Sequence, residues 1–298
     1  MIDQEMNTII ADGDGFIAAL DQSGGSTPKA LRAYGVEDDE WNGDEEMFAQ
    51  IHKMRSRIVT SPSFNGDRVI GAILFERTMD GLADGKPVPT VLRDRGVVPF
   101  LKVDKGLEDE QDGVQMMKPI AGLDDLLARA KALGVYGTKM RSVINSASPT
   151  GIGAIVAQQF EVGAQILNAG LMPILEPEYS IKSEDRAEGE VILRDEILKH
   201  LNSLDDGQQV MLKLSIPVEA NTYKPLVDHP GVLRVVALSG GYSRTDACKK
   251  LAENDGMIAS FSRALLEELR AQMTDDEFDA ALKTAIEEIY EASTGKCE

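Results

Sequence analysis

A lysine in the middle of an apolar run is the residue of this sequence with the most chemical potential. Lys213 stands within Val210-Met211-Leu212-Lys213-Leu214, where it shares a face with Met211 or points into the interior. An ammonium ion there is costly unless it is paired or gives up its proton. Desolvation and the cations Lys102 and Lys139, which follow other apolar runs, favour the neutral amine, the form that attacks a carbonyl carbon. Glu176-Pro177-Glu178 places two carboxylates two residues apart across a rigid spacer. In extended chain both lean to one face, so one can move protons while the other stays ionised against the lysines. Ser239-Gly240-Gly241 follows another apolar run and leads into Ser243 and Asp246, with the spacing of a helix cap. Glycines let backbone N–H groups approach an anion, and Ser260 and Arg263 occupy the corresponding place after the next run. For any one of these residues the plain alternative is a charge or a glycine turn leaving a strand for solvent.

The elements that carry them alternate short apolar runs with amphipathic stretches, the pattern of βα units around a parallel sheet. The runs are Phe16 to Leu20, Val69 to Phe75, Val97 to Val103, Val135 to Met140, Leu171 to Leu175, Gln209 to Leu214, Leu233 to Leu238 and Gly256 to Ser260. Helical patterns lie between them, such as Glu45 to Val59, with Met47, Phe48, Ile51, Met54 and Ile58 on one face, and Leu123 to Leu133, stopped by Gly134. A last helix opens on the capping box Thr274-x-x-Glu277 and runs to about Tyr290. Eight strands with helices between them predict an α/β fold of the (β/α)8 barrel type, because doubly wound sheets usually stop earlier. Residues 1–298 then form one barrel domain with an N-terminal helix and a C-terminal helical tail. In such a barrel the reactive groups come from the C-terminal strand ends. Those ends deliver Asp21, Glu76, Lys102 with Asp104 and Lys105, Lys139 with Arg141, Glu176 with Glu178, Lys213, Ser239, and Ser260 followed by Arg263.

Fifty acidic against 31 basic residues give a formal charge of −19, a surface that repels nucleic acid and anionic membranes. An anionic ligand must therefore meet cations gathered at one mouth. The N-terminus lacks a signal-peptide pattern, no window approaches a membrane span, and Cys248 and Cys297 are too few for a disulfide framework, so a cytoplasmic location is expected. His52, His200 and His229 are scattered away from strand ends, and Gly13-Asp14-Gly15 precedes a strand where a dinucleotide fingerprint must follow one. Neither a metal nor a dissociable cofactor is expected. An apolar helix face can serve as core or interface, which leaves a homo-oligomer open.

Taken in order, Ala19-Leu20-Asp21-Gln22-Ser23-Gly24-Gly25-Ser26, Ile73-Leu74-Phe75-Glu76, Lys102-Val103-Asp104-Lys105-Gly106, Lys139-Met140-Arg141, Pro173 to Glu178, Leu212-Lys213, Leu238 to Gly241 and Ser260 to Leu265 resemble the class I, Schiff-base fructose-bisphosphate aldolases of the shorter bacterial type. The resemblance spans about Phe16 to Leu269. It implies a metal-independent lyase of glycolysis, acting on sugar phosphates, in which Lys213 forms the imine and Glu176 is the main general acid/base. It further implies that Asp21 orients and helps deprotonate the C4 hydroxyl and that Lys139 and Glu178 tune Lys213. Lys102 and Arg141 would hold hydroxyls or the second phosphate, and Ser239, Gly240, Gly241 and Arg263, with Ser260 nearby, would hold the first. Two departures from vertebrate members stand out. Ala30 occupies the place of an Arg that follows the lysine corresponding to Lys29, so Lys29 or Arg32 is expected to substitute. The tail reads Lys296-Cys297-Glu298 instead of ending in a Tyr, and the last Tyr is Tyr290. Rival readings are another Schiff-base enzyme, such as a tagatose-bisphosphate aldolase or a transaldolase, and an idle barrel that serves as a binding protein.

Overall fold

In the computed structural model, which describes residues 2–23 and 25–296, each of the eight apolar runs is a strand. Parallel strands are buried on both faces, so near-continuous apolar sequence is what they require. They are β1 (Phe16–Leu20), β2 (Val69–Leu74), β3 (Val98–Lys102), β4 (Gly137–Ile144), β5 (Met172–Tyr179), β6 (Val210–Ser215), β7 (Val232–Leu238) and β8 (Met257–Ala259). All pair in parallel and in chain order. The ring closes where Ala19 N donates to Phe261 O at 3.0 Å. The architecture is a (β/α)8 barrel. Met1, Gly24 of the first motif, and Cys297 and Glu298 of the tail lie outside the described residues.

Before the barrel comes α1 (Gln4–Asp12), and around it run α2 (Ser26–Tyr34), α3 (Gly43–Thr60), α4 (Val88–Asp94), α5 (Leu123–Ala132), α6 (Pro149–Asn168), α7 (Arg186–Leu201), α8 (Arg244–Ala252) and α9 (Asp275–Thr294). The expected capping box of α9 is formed by Thr274 and Glu277. Two features had no sequence signal strong enough to anticipate: a hairpin of Leu82–Ala83 with Lys86–Pro87, and a short strand Val114–Gln115 antiparallel to the end of β4. The latter carries the acidic segment 108–112 out to solvent.

Two apolar layers hold the ring. The larger lies between strands and helices. The smaller fills the barrel with Ile17, Ile73, Phe100, Ile174, Met211 and Val236, and α1 plugs the N-terminal end with Met6 and Ile10. Arg234 fixes that plug by donating to the carbonyls of Ala11 and Gly13. Gly137 allows β4 to lie tightly on its neighbour, since a Cβ there would fall 2.3 Å from the Met172 carbonyl oxygen.

Candidate active site

Side chains alternate along a strand, so the parity that sends Ile17, Ile174, Met211 and Ile258 into the barrel also sends Asp21, Glu176, Lys213 and Ser260 inward, further along the same strands. The apolar filling ends one layer below them. Above it opens a cleft of about 580 Å³ lined by Asp21, Lys102, Lys139, Arg141, Glu176, Glu178, Lys213, Ser239, Gly240, Ser260 and Arg263. Eleven of the twelve expected site residues thus meet in one cavity. The twelfth, Gly241, sits just behind, where a Cβ would come 3.4 Å from Arg263 Nη2.

The floor of the cleft is a chain of alternating charge. Lys213 Nζ is 3.2 Å from Glu176 Oε1, and Lys139 Nζ is 2.9 Å from Glu176 Oε2 and 2.7 Å from Asp21 Oδ2. The Lys139–Glu176 contact is ionic and not aligned as a hydrogen bond, so Glu176 Oε2 keeps its bonding capacity. Lys213, Glu176 and Lys139 are 4%, 3% and 2% exposed, which makes their attraction strong and the loss of any one costly. Burial alone would raise the Asp21 carboxyl, but the fields of Lys139, Lys213 and Lys102 outweigh it and hold Asp21 well below the usual carboxylate range. Burial would likewise lower Lys139, yet Asp21, Glu176 and Asp104 together hold it well above the usual lysine range.

The two carboxylates of Glu-Pro-Glu part company. Glu176 faces both lysines, whereas Glu178, expected beside Lys213, bonds Arg141 Nε. Asp104, which sequence reading put on the rim without a role, joins the set: it accepts from Lys102 Nζ at 2.6 Å and from the Arg141 backbone N–H at 3.2 Å. Its signal was its place two residues after Lys102, just past an apolar run. Glu76 leaves the set. It opens a short helix, Glu76–Met79, and turns outward to Lys105 and Arg129, because the chain bends away directly after Phe75.

One wall of the cleft suits an anion. Gly240 and Gly241 adopt φ of +62° and +123°, conformations that side chains resist. Ser260 Oγ is buried there without a partner among the described residues, and the exposed Arg263 has no described carboxylate to pair with. Lys29 and Ala30 also line the mouth, Ala30 close to the Gly241 and Arg263 wall, while Arg32 is tied to Asp38 at 2.7 Å on the surface. Of the two cations expected to replace the missing Arg, only Lys29 faces the cleft. Tyr290 packs on Arg68, whose carbonyl receives the first N–H of β1, so it sits at the other end of the barrel. Among the described residues no cluster of His, Cys, Asp and Glu could hold a metal ion, and no helix is long and apolar enough to cross a membrane. His200 stacks on Phe160, and Cys248 is a buried thiol pushed up to about 12 by burial and by Glu288.

The profile of the family fructose-bisphosphate aldolase class-I matches residues 2–216, which reach from α1 through Lys213. The chain belongs to the class I fructose-bisphosphate aldolase family. Among solved structures, a fructose-bisphosphate aldolase from Plasmodium falciparum, crystallised with TRAP and a small-molecule inhibitor, superposes with a TM-score of 0.79 at 19% identity, covering 99% of this chain and 94% of that one. A protein from Corynebacterium glutamicum superposes with a TM-score of 0.57 at 14% identity, covering 97% and 92%. At such identities the superpositions speak for the barrel. The aldolase family supplies the class of enzyme, a lyase.

Proposed function

We propose that the cleft catalyses the reversible aldol cleavage of fructose 1,6-bisphosphate to dihydroxyacetone phosphate and glyceraldehyde 3-phosphate. The observation that carries the reading is a 4% exposed lysine, 3.2 Å from a carboxylate that a second lysine shares, below a cleft whose lining includes Arg263 and Lys29 without described ion pairs. Lys213 Nζ adds to the C2 carbonyl, and loss of water gives a protonated imine. Glu176, in contact with the nitrogen, is the group that passes protons to and from the leaving water. Asp21, kept ionised by three lysines, accepts a hydrogen bond from the C4 hydroxyl and orients it, while the proton itself passes to Glu176, which gave up its own to the leaving water. The C3–C4 bonding pair flows into the imine, glyceraldehyde 3-phosphate leaves, and the enamine takes a proton at C3 before water hydrolyses the imine to dihydroxyacetone phosphate. Ser239, Gly240, Ser260 and Arg263 take one phosphate, and Lys29 with Lys102 takes the other.

Borohydride added with dihydroxyacetone phosphate should reduce the imine to a secondary amine, inactivating the protein and adding one ligand mass at Lys213. Lys213→Arg keeps the charge but cannot form the imine, and should lose both labelling and cleavage. Labelling at Lys102 or Lys139 would move the nucleophile, and full activity without labelling would sink the imine mechanism. Equal cleavage of tagatose 1,6-bisphosphate would broaden the substrate.

A further inference from the structure

Arg55 is a buried cation without an anion. It lies on α3, four residues after Ile51 and three before Ile58, on the face turned to the barrel, and is 1% exposed. No described carboxylate is within ion-pair reach. Its guanidinium instead donates from Nη1 to Thr78 Oγ1 at 2.8 Å and from Nη2 to the Gln22 carbonyl and to Gln22 Oε1 at 3.2 Å, with the Phe75 ring below it. Burial pushes it down to about 10, opposed by the field of Asp21, so it remains charged at neutral pH. A buried guanidinium held only by neutral acceptors still carries a desolvation cost that an apolar side chain would not. A methionine would fill similar space without that cost, so what the guanidinium adds is direction.

The direction is toward the cleft. Gln22 follows Asp21, and its amide is oriented by both ends: the oxygen receives Arg55, while Nε2 donates to Ser262 Oγ at 2.6 Å. Ser262 in turn precedes Arg263 and bounds the cleft with Gln22. Arg55, Gln22 and Ser262 therefore join the rigid helix α3 to the loop after β1 and to the loop after β8. Each loop carries a cleft residue one position from the bond: Asp21 on the first and Arg263 on the second. These are the two strands between which the ring closes.

We propose that Arg55 is a positioning residue of this active site, holding Gln22 so that Asp21 stays against Lys139 and Arg263 stays on the anion wall. The proposal rests on the aldolase reading for the reaction it serves, though not for the geometry it maintains. Arg55 itself does not line the cleft.

The test uses Arg55→Lys, Gln22→Ala, Ser262→Ala and the double variant Arg55→Lys/Gln22→Ala of the full chain, read by steady-state kinetics on fructose 1,6-bisphosphate, thermal unfolding and titration with inorganic phosphate. Lysine retains the charge but not the fork, so Arg55→Lys should lower kcat/KM by roughly ten- to a hundredfold, as a displacement on the order of 1 Å does. Gln22→Ala should do the same, with kcat falling and KM rising together. The double variant should be no worse than the poorer single one, because both remove the same link. Losses that multiply, or losses that follow the unfolding temperature alone, would make Arg55 a structural residue and overturn the proposal. If Arg55→Lys does not fold, Gln22→Ala and Ser262→Ala still decide: kcat/KM within twofold of the parent would also overturn it. Phosphate titration separates the two readings. A parent that neither cleaves the bisphosphate nor is trapped at Lys213 fails the aldolase reading, yet weaker phosphate binding in Gln22→Ala would still support the link, and unchanged binding would refute it.

Discussion

At the N-terminal end of the barrel, Arg234 is held by the carbonyls of Ala11 and Gly13, where α1 runs out, whereas at the C-terminal end Lys139 and Lys213 face carboxylates. The first arrangement uses neutral dipoles. Carbonyls at a helix C-terminus lack intrahelical partners and carry partial negative charge, so both Nη groups are bonded without a titratable partner, while Nε is left without one among the described residues. The second arrangement uses full charges on both sides, which hold Asp21 and Lys139 in their ionised forms. The same strands thus carry a plug built for packing at one end and a chain of alternating full charges at the other. Substitutions should separate the two ends cleanly.

The largest effect belongs to Lys139→Met. It leaves Asp21 and Glu176 buried without their shared cation, which should cost about 3–5 kcal/mol of unfolding free energy and most of the turnover. The pH dependence gives the sign. Asp21 lies below its ordinary range, so in the parent its contribution is present above about pH 4 and is lost as pH falls toward the folded value. Lys139 lies above its range, so its contribution is present below about pH 10 and is lost as pH rises toward the folded value. In Lys139→Met the acid limb should flatten, because burial then works on Asp21 against Lys213 and Lys102 alone. Urea unfolding across pH checks this, and an acid limb like the parent's would erase the contrast between the ends.

Ile10→Ala, in the plug, should cost about 2–5 kcal/mol through the cavity it opens, with kcat of the folded protein unchanged. A fall in kcat at full folding would couple plug to cleft. Arg263→Ala should do the reverse: an exposed, unpaired guanidinium contributes little to folding, so the unfolding temperature should hold. KM for the bisphosphate should rise roughly ten- to a hundredfold, as expected for about 1.5–3 kcal/mol of charge-assisted hydrogen bonding. The smallest effect distinguishes the neighbours on α2. Lys29→Ala should raise KM by about a few-fold, while Arg32→Ala, which breaks only the surface pair with Asp38, should leave it within about twofold. Equal effects would remove Lys29 from the second phosphate.

The strands were legible because a parallel barrel strand is apolar on both faces. That same signal fails where the site begins. β4 and β5 continue to Ile144 and Tyr179, beyond the runs that ended at Met140 and Leu175, since Arg141, Glu176 and Glu178 interrupt the apolar pattern while the backbone goes on pairing. Strand-end position found Lys213, Lys139 and Asp21, but it also picked Glu76, because sequence does not say whether the chain turns inward or out after the last apolar residue. Strand-end position passed over Arg55, whose signal is that of a cation on the apolar stripe of α3, four residues after Ile51. Nothing local said that its partners would be Gln22 and Thr78, which come from other elements.

The ring closes between β1 and β8, and the cleft draws Asp21 from the first of these strands and Ser260 from the last. For a chain emerging from the ribosome, the first strand must wait as an unpaired edge until nearly all the others have been made. Such long-range pairing is slow and exposes a strand to wrong partners. Catalytic competence then arrives late and all at once, with the final closure. Truncated or stalled chains would carry Lys213 and Glu176 yet have no enclosed cleft in which to use them.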